Sequence, residues 1–319
     1  MTLEEFLAEW NNSSDVVLVH TSGSTGKPKP MWVEKRMMEA SARITCDFLG
    51  LEAGDTALLS MPLDYIAGKM VVVRSLVRNM KLIDVKPSGH PLSDVDDAVT
   101  FAAMVPMQVY NSLRVPKERD KLREIKHLII GGGAIDDSLV NELKTFPNAV
   151  WITYGMTETL SHIALRRLSG DEASDWYTPF DTVHISLNSE RCLVIDAPQV
   201  CKSVLTTNDV AEMAPDGCRF RIIGRKDNII DSGGIKIQIE EVERALKPFI
   251  HVPYMITKQT DEKFGEIVVL LVQFPDVAEV ENICKRVLPK YWQPQKYRSV
   301  DEIPMTETGK VRRTFLYHQ

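Results

Sequence analysis

The chain has 319 residues, and its 38 Lys+Arg against 44 Asp+Glu give a formal net charge of −6 at pH 7. A hydrophobic fraction of 44% with 26% charged residues excludes a disordered chain, and an acidic balance with no Lys/Arg block excludes nonspecific nucleic-acid binding. No apolar run approaches the ~18 residues of a membrane span, and the acidic, amphipathic opening MTLEEFLAEWNN is the reverse of a secretory signal.

Short β-branched runs alternate with helical patterns through the first half. Val16–His20 reads as a strand, Val33–Leu49 as a helix and Ala57–Ser60 as a strand. An apolar helix around Ala67–Asn79 and a strand at Lys81–Val85 follow. His127–Ile130 reads as a strand, Ser138–Phe146 as a helix and Val150–Thr153 as a strand. This rhythm predicts an α/β fold with a largely parallel sheet. Past Thr182 the strands shorten (Val183–Leu187, Cys192–Asp196, Ser203–Thr207, Arg219–Ile223) between turn clusters such as Ala214-Pro215-Asp216-Gly217, which suits a small antiparallel subdomain over about 182–224. A boundary falls near Gly224–Asn228. Beyond it lie a helix at Ile237–Leu246, strands at Val252–Lys258 and Ile267–Phe274, and a helix at Glu279–Val287. The chain is therefore expected to divide into a domain at 1–226 and an α+β domain at 227–319.

Five cysteines (Cys46, Cys192, Cys201, Cys218, Cys284) stand far apart with no C-x-x-C pair, which predicts reduced thiols in a cytoplasmic protein and no structural zinc. Directly after the first strand comes Thr21-Ser22-Gly23-Ser24-Thr25-Gly26-Lys27-Pro28-Lys29. Glycines let backbone N–H groups converge, hydroxyls add donors and lysines add charge, which together suit a polyphosphate. A Ser/Gly surface loop is the bland alternative. The segment is not a Walker loop: Thr21 stands where its first glycine belongs, and Pro28 where Ser or Thr follows the lysine. A second cluster, Gly131-Gly132-Gly133, fails the dinucleotide fingerprint because Asp136 occupies the last glycine position.

Thr21–Lys29 resembles the phosphate-loop signature of the adenylate-forming superfamily, which includes acyl-CoA synthetases and peptide-synthetase adenylation domains. Four further matches follow in that family's order: Tyr154-Gly155-Met156-Thr157-Glu158-Thr159; Thr207-Asn208-Asp209; Gly224-Arg225-Lys226-Asp227 running into Ser232-Gly233-Gly234; and Pro304-Met305-Thr306-Glu307-Thr308-Gly309-Lys310. Within the superfamily the chain looks most like the o-succinylbenzoate–CoA ligases of menaquinone biosynthesis. Met61–Gly68, Met104–Gln108 and Asp227–Lys236 carry that narrower likeness. It departs from the pattern in four places. Only about twenty residues precede the phosphate loop, against well over a hundred in family members, so the chain is either a compact variant or lacks the first subdomain. Pro30 stands where the loop ends in Gly, Tyr65 at the gate position and Asp231 at the hinge-loop lysine.

The resemblance implies an adenylate-forming fold, a shortened AMP-binding domain followed by a small mobile domain. It implies ATP, Mg²⁺ and CoA as cofactor and co-substrates, and a small aromatic acid as the group activated. By the same resemblance Thr21, Ser22, Gly23, Ser24, Thr25, Gly26 and Lys27 hold phosphate, and Gly131, Gly132, Gly133 and Ala134 face adenine across from Tyr154. Gly155, Met156 and Thr157 line the nucleotide, with Thr157 on the α-phosphate and Glu158 on Mg²⁺. Asp209 accepts both ribose hydroxyls, Arg225 meets the ribose and phosphates, and Lys310 bridges the α-phosphate and the acyl carboxylate. Asp227 is the hinge, and Gly233 and Gly234 flank the path of CoA. Tyr65, Gln108, Ser161 and His162 flank the matching motifs and are the candidates for the acyl group. A buried core tyrosine, a helix-capping acid, a surface ion pair and a satisfied core histidine are the structural alternatives for Tyr154, Glu158, Arg225 and His162. The leading expectation is a ligase that adenylates o-succinylbenzoate and passes it to CoA. The alternatives are a CoA or carrier-protein ligase for another acid and a non-catalytic nucleotide-binding scaffold. A homodimer is left open.

Overall fold

The structure, a computed structural model, describes residues 1–20, 30–133, 135 and 137–304. The phosphate-loop candidates Thr21, Ser22, Gly23, Ser24, Thr25, Gly26 and Lys27 lie outside the described residues, as do Ala134 and Lys310. The chain separates into two compact units. The first comprises Met1–Ser186, Val194–Leu205 and Met213–Arg221; the second comprises Leu187–Leu193, Thr206–Glu212 and Ile222–Gln319.

The first unit opens with α1 (Leu3–Trp10), begun by a reciprocal capping box in which Thr2 Oγ1 accepts from Glu5 N and the Glu5 carboxylate accepts from Thr2 N. Strands β1 (Val16–His20) and β2 (Pro30–Glu34) pair antiparallel, Val16 against Glu34 and His20 against Pro30. That pairing takes Val33 and Glu34, which the apolar pattern assigns to a helix, so α2 runs Lys35–Leu49. The buried positions Met37, Met38, Ala42, Thr45, Cys46 and Leu49 form one stripe of α2, and Gly50 stops it with φ +65°. After β3 (Thr56–Leu59), α3 (Ile66–Arg78) is buried continuously from Gly68 to Ser75. A helix buried that continuously leaves its two internal cations, Lys69 and Arg74, no route to solvent. Strands β4 (Lys81–Asp84) and β5 (Phe101–Met104) lead to α4 (Pro106–Arg114) and α5 (Pro116–Glu124), each with proline in its first turn. Then come β6 (His127–Ile130), α6 (Asp137–Leu143), β7 (Ala149–Gly155), β8 (His162–Arg167) and β9 (Thr178–Pro179). The seven strands β3–β9 form one sheet in the order β4-β3-β5-β6-β7-β8-β9. It is parallel through β7 and antiparallel for the last two pairings. The inner parallel strands β3, β5 and β6 are apolar on both faces, and Leu58, Ala102, Met104, Leu128, Ile130 and Val150 sit at the centre of the core.

Strands β10 (His184–Leu187), β11 (Cys192–Asp196), β12 (Leu205–Met213) and β13 (Phe220–Arg225) form a four-stranded sheet in chain order, its residues divided between the two units. Asp209 lies inside β12, not after a strand ending at Thr207. The strand runs on because Val210 and Ala211 carry its buried face past the polar Thr-Asn-Asp stretch.

In the second unit a one-turn 3-10 helix, Lys226–Asn228, leads to β14 (Ile229–Ser232) and β15 (Ile235–Gln238), paired antiparallel with Ser232 opposite Ile235. The turn between them is Gly233-Gly234, with φ of +61° and +84°. A two-residue hairpin turn with both central φ values positive selects glycine. Ile237 and Gln238 therefore belong to a strand, and α7 starts only at Ile239 (Ile239–Leu246). Strands β16 (Tyr254–Asp261) and β17 (Gly265–Val272), helix α8 (Val277–Val287) and β18 (Lys296–Ser299) complete a five-stranded sheet. Val268, Leu270 and Val272 of β17 pack with Val242 and Leu246 of α7 and Val280 of α8. On its other face Ile267, Val269 and Leu271 join Met255 and Ile303.

Candidate active site

The first unit holds a cavity of about 200 Å³ at the carboxyl ends of β5, β6 and β7, where open parallel sheets place their ligands. Its wall includes Met61 after β3, Arg74 of α3, Val105 after β5, Gly131 and Gly132 after β6, and Thr157 after β7. Ser161 and His162 at the start of β8 close one side.

Glycines let these segments converge. A Cβ on Gly131 would run into Thr153 Oγ1, so β6 and β7 can meet this closely only with glycine there. A Cβ on Gly155 would strike the backbone of Ser161 and His162, so glycine is what brings the β7–β8 return beneath the strand end. Thr157–Thr159 makes a single 3-10 turn. The buried Thr159 Oγ1 accepts from Met156 N at 3.1 Å and lies 2.8 Å from Ser161 O. Leu160 then takes φ +65°, a region that favours glycine, at a wall of the cavity. Glu158 is exposed on this turn, and its carboxylate has no ion-pair partner among the described residues. Tyr154, half-buried, packs edge-on to Phe220 at 5.1 Å between ring centroids and tilted against Tyr177 at 5.7 Å.

Polar groups gather on one side of the cavity. Arg74 is 1% exposed, and its Nη2 donates to Ser161 Oγ at 2.8 Å and to Thr45 Oγ1 at 3.3 Å. No carboxylate pairs with it among the described residues, and its Nε has no hydrogen-bond partner. Burial pulls the Arg74 pKa down to about 10, so the guanidinium stays charged at neutral pH. His162 is buried, and burial with Arg74 nearby holds its imidazole well below the ordinary 6.5, hence neutral. Sequence reasoning passed over Arg74. Its signal was a single cation closing the apolar run Met70-Val71-Val72-Val73, where a surface arginine would break the pattern.

Of the acyl-group candidates, Ser161 and His162 line the cavity, while Tyr65 and Gln108 do not. Tyr65 is 45% exposed just before α3. Gln108 is 4% exposed and spends its whole amide on backbone: Nε2 donates to Ser60 O and Ser88 O, and Oε1 accepts from Val105 N. It ties together the segments after β3, β4 and β5. Of the adenine-facing candidates, Gly131 and the exposed Gly132 line the cavity, and Gly133, also exposed, does not.

The second unit brings three other candidates together. Arg225 Nη1 lies 3.2 Å from Asp209 Oδ1, and its Nη2 lies 3.2 Å from Asp227 Oδ2. The Arg225 backbone is pinned on both sides, its N–H donating to Glu240 and its carbonyl accepting from Gln238 Nε2 at 2.9 Å. Gly234 N donates to Asp231 Oδ1 at 3.1 Å, so the aspartate at the hinge-loop lysine position closes the Gly233-Gly234 turn. Among the described residues no cluster of three or more His, Cys, Asp and Glu could hold a metal by itself, and no helix is long and apolar enough to cross a membrane.

Comparison with known proteins places this architecture. The 2-succinylbenzoate–CoA ligase of Enterococcus faecalis is 24% identical over 340 residues, covering 97% of this chain and 70% of the relative. Its counterpart in Bacillus licheniformis is 26% identical over 328 residues, 93% and 68% respectively. A crystal structure of an acyl-CoA synthetase (AMP-forming)/AMP-acid ligase II-like protein from Dyadobacter fermentans superposes with a TM-score of 0.69 at 30% identity, covering 97% of this chain and 91% of that one. The o-succinylbenzoate CoA synthetase of Bacillus subtilis, in complex with the acyl-adenylate intermediate OSB-AMP, gives 0.74 at 25% identity, covering 94% and 68%. The AMP-binding enzyme family model matches residues 4–199, and with the parallel sheet and the cavity at its carboxyl end, the chain belongs to the AMP-binding enzyme family.

Proposed function

We propose that this chain is an AMP-forming acid–thiol ligase that adenylates 2-succinylbenzoate and transfers it to CoA. Family membership and the names of its relatives support the reaction class, and Arg74 carries the choice of acid. A buried guanidinium with no carboxylate partner is costly to maintain. Arg74 faces a cavity, so an acid with a second carboxylate supplies what the fold leaves out. 2-Succinylbenzoate has two carboxylates, of which one becomes the acyl group and the other remains an anion.

The attacking carboxylate is already ionised at pH 7, so the site needs no general base. Its oxygen bonds to the α-phosphorus, the bond to pyrophosphate breaks, and CoA sulfur later displaces AMP from the acyl carbon. What the chain must supply is orientation and compensation of negative charge. In this reading the Gly131–Gly133 backbone and Tyr154 bound adenine, and Thr157 donates to the α-phosphate. Asp209, steadied by Arg225, accepts from the ribose, and Thr21–Lys27 and Lys310 meet the phosphates. Glu158 fits a magnesium site: it is an exposed carboxylate with no ion-pair partner among the described residues, and Mg²⁺ is commonly held by one or two carboxylates plus substrate phosphates. When bound, Mg²⁺ neutralises charge building on the departing pyrophosphate. The five cysteines are free, which suits a reducing cytoplasm.

The test is CoA-dependent AMP release across a panel of carboxylic acids. 2-Succinylbenzoate is expected to give the highest kcat/KM, and Arg74→Met to lower that value at least about a hundredfold, the loss of a charged contact worth roughly 3 kcal/mol. Higher turnover of a mono-acid by the wild type would reject the assignment of substrate. Absence of ATP–pyrophosphate exchange with every acid would leave a nucleotide-binding scaffold instead. Glu158→Gln is expected to raise the Mg²⁺ concentration needed for half-maximal rate, and an unchanged Mg²⁺ titration would release Glu158 from that role.

A further inference from the structure

Four groups of the first unit, Ser161 half-buried and the other three buried, form a closed hydrogen-bonded ring against the cavity, and its directions follow once the Thr45 hydroxyl donates to Ser41 O. Arg74 Nη2 carries two hydrogens, directed to Ser161 Oγ at 2.8 Å and Thr45 Oγ1 at 3.3 Å. The Thr45 hydroxyl donates to Ser41 O at 3.1 Å, one turn back in α2. Ser41 O and His162 Nε2 lie at the same 3.1 Å from Thr45 Oγ1, and with the hydrogen placed on the carbonyl, which can only accept, Thr45 Oγ1 accepts from His162 Nε2. His162 must then carry its proton on Nε2, which leaves Nδ1 to accept from the Ser161 hydroxyl at 3.2 Å. Each hydroxyl thus donates elsewhere and turns a lone pair toward the same guanidinium nitrogen. Thr45 is fully buried and His162 is 7% exposed, so solvent does not compete for the bond between them.

We propose that His162 is a positioning residue for Arg74: its Nε2–H tautomer sets the Ser161 hydroxyl, which with Thr45 holds the guanidinium toward the acid. His162 itself meets no substrate atom in this role. It acts through Ser161, whose hydroxyl without the imidazole would be free to turn its hydrogen toward Arg74 and loosen it, while Thr45 would lose only the hydrogen bond it accepts from Nε2. The kinetic consequence rests on the dicarboxylate reading above, whereas the tautomer does not.

Two measurements test the proposal. The first compares His162→Leu and His162→Gln with wild type on 2-succinylbenzoate and on a mono-acid analogue that is still turned over. His162→Leu is expected to raise KM for 2-succinylbenzoate about tenfold, as for loss of an orienting hydrogen bond. KM for ATP should stay within about twofold, KM for the mono-acid should rise clearly less than KM for 2-succinylbenzoate, and His162→Gln, whose amide can both donate and accept, should recover most of the loss. An unchanged KM, or an equal rise for the mono-acid, would overturn it. The second is ¹⁵N NMR of the His162 ring in the wild-type chain, where a neutral Nε2–H tautomer is expected at pH 7. An Nδ1–H tautomer or an imidazolium overturns the proposal whatever acid the enzyme uses. A wild type inactive on 2-succinylbenzoate but carrying the Nε2–H tautomer would reject the substrate and keep the ring.

Discussion

Lys69 and Arg74 lie five residues apart on one buried helix, yet the fold treats them differently. Lys69 Nζ sits 3.3 Å from Glu9 Oε2 and 4.8 Å from the centre of the Phe6 ring, so its charge is answered by α1. Removing Glu9 strands the Lys69 ammonium, whose side chain is 1% exposed, at about 3–5 kcal/mol, whereas removing Lys69 leaves a Glu9 carboxylate that is 23% exposed and can reach water. Glu9→Gln is therefore expected to destabilise the chain more than Lys69→Met, as read from denaturant midpoints. The reverse order would mean the pair is not what holds α1. His127 offers a pH test. Burial, with Lys126 and Arg167 adding to it, lowers its pKa from 6.5 to about 4. Between those values the unfolded chain binds the proton that the folded chain refuses. Stability is therefore whole above pH 6.5 and drains away as pH falls toward 4, in step with the contribution of His162. His127→Asn should flatten that part of a plot of melting temperature against pH, and an unaltered slope would acquit His127. At this scale the motif glycines were legible because only glycine allows the close approaches at Gly131 and Gly155. That no carboxylate among the described residues pairs with Arg74 was not legible, because the lack of a partner has no sequence pattern.

Gln108 works between elements. Replacing it by Leu would strand Val105 N, Ser60 O and Ser88 O, at about 1–3 kcal/mol for each group that finds no other partner. The expected result is a marked drop in melting temperature with no shift in the Mg²⁺ titration, and a silent Gln108→Leu would show that water replaces the clamp. At the hairpin of β14 and β15, Gly234→Ala must hold φ +84°, and the expected loss is roughly 1–2 kcal/mol. Any activity lost by bulkier variants there has to be compared with this cost before it is assigned to CoA. The same hairpin shows why element boundaries were harder to read than elements. Ile235-Lys236-Ile237-Gln238 alternates like a strand but runs without a break into Ile239, Val242 and Leu246, which share one helical face, and only pairing with β14 decides where the strand ends. Strand β5, Phe-Ala-Ala-Met, was invisible for a related reason. Four apolar residues carry no period, and its place between β3 and β6 comes from the sheet.

For the whole chain, the alternation of strands and helices sufficed to give an α/β fold, because a parallel sheet needs crossovers and leaves them in the sequence. From the motif order we propose that Lys310 serves adenylation and that a change of pose about Asp227 then serves CoA transfer, and separating the half-reactions tests this. Lys310→Ala is expected to cripple pyrophosphate exchange while sparing CoA transfer from supplied adenylate, and Asp227→Pro to do the opposite. Equal losses in both assays would rule out two working poses. One strand has a further consequence, during synthesis. Ile267–Val272 is six apolar residues without a charge or proline, the profile of a segment that stacks with copies of itself. Its parallel neighbour Lys296–Ser299 leaves the ribosome more than twenty residues later, so each nascent chain exposes an unpaired, two-sided apolar edge for a time. Glu266 and Pro275 flank the run as gatekeepers, and crowded expression at high temperature should send Glu266→Val into inclusion bodies while wild type stays in the supernatant.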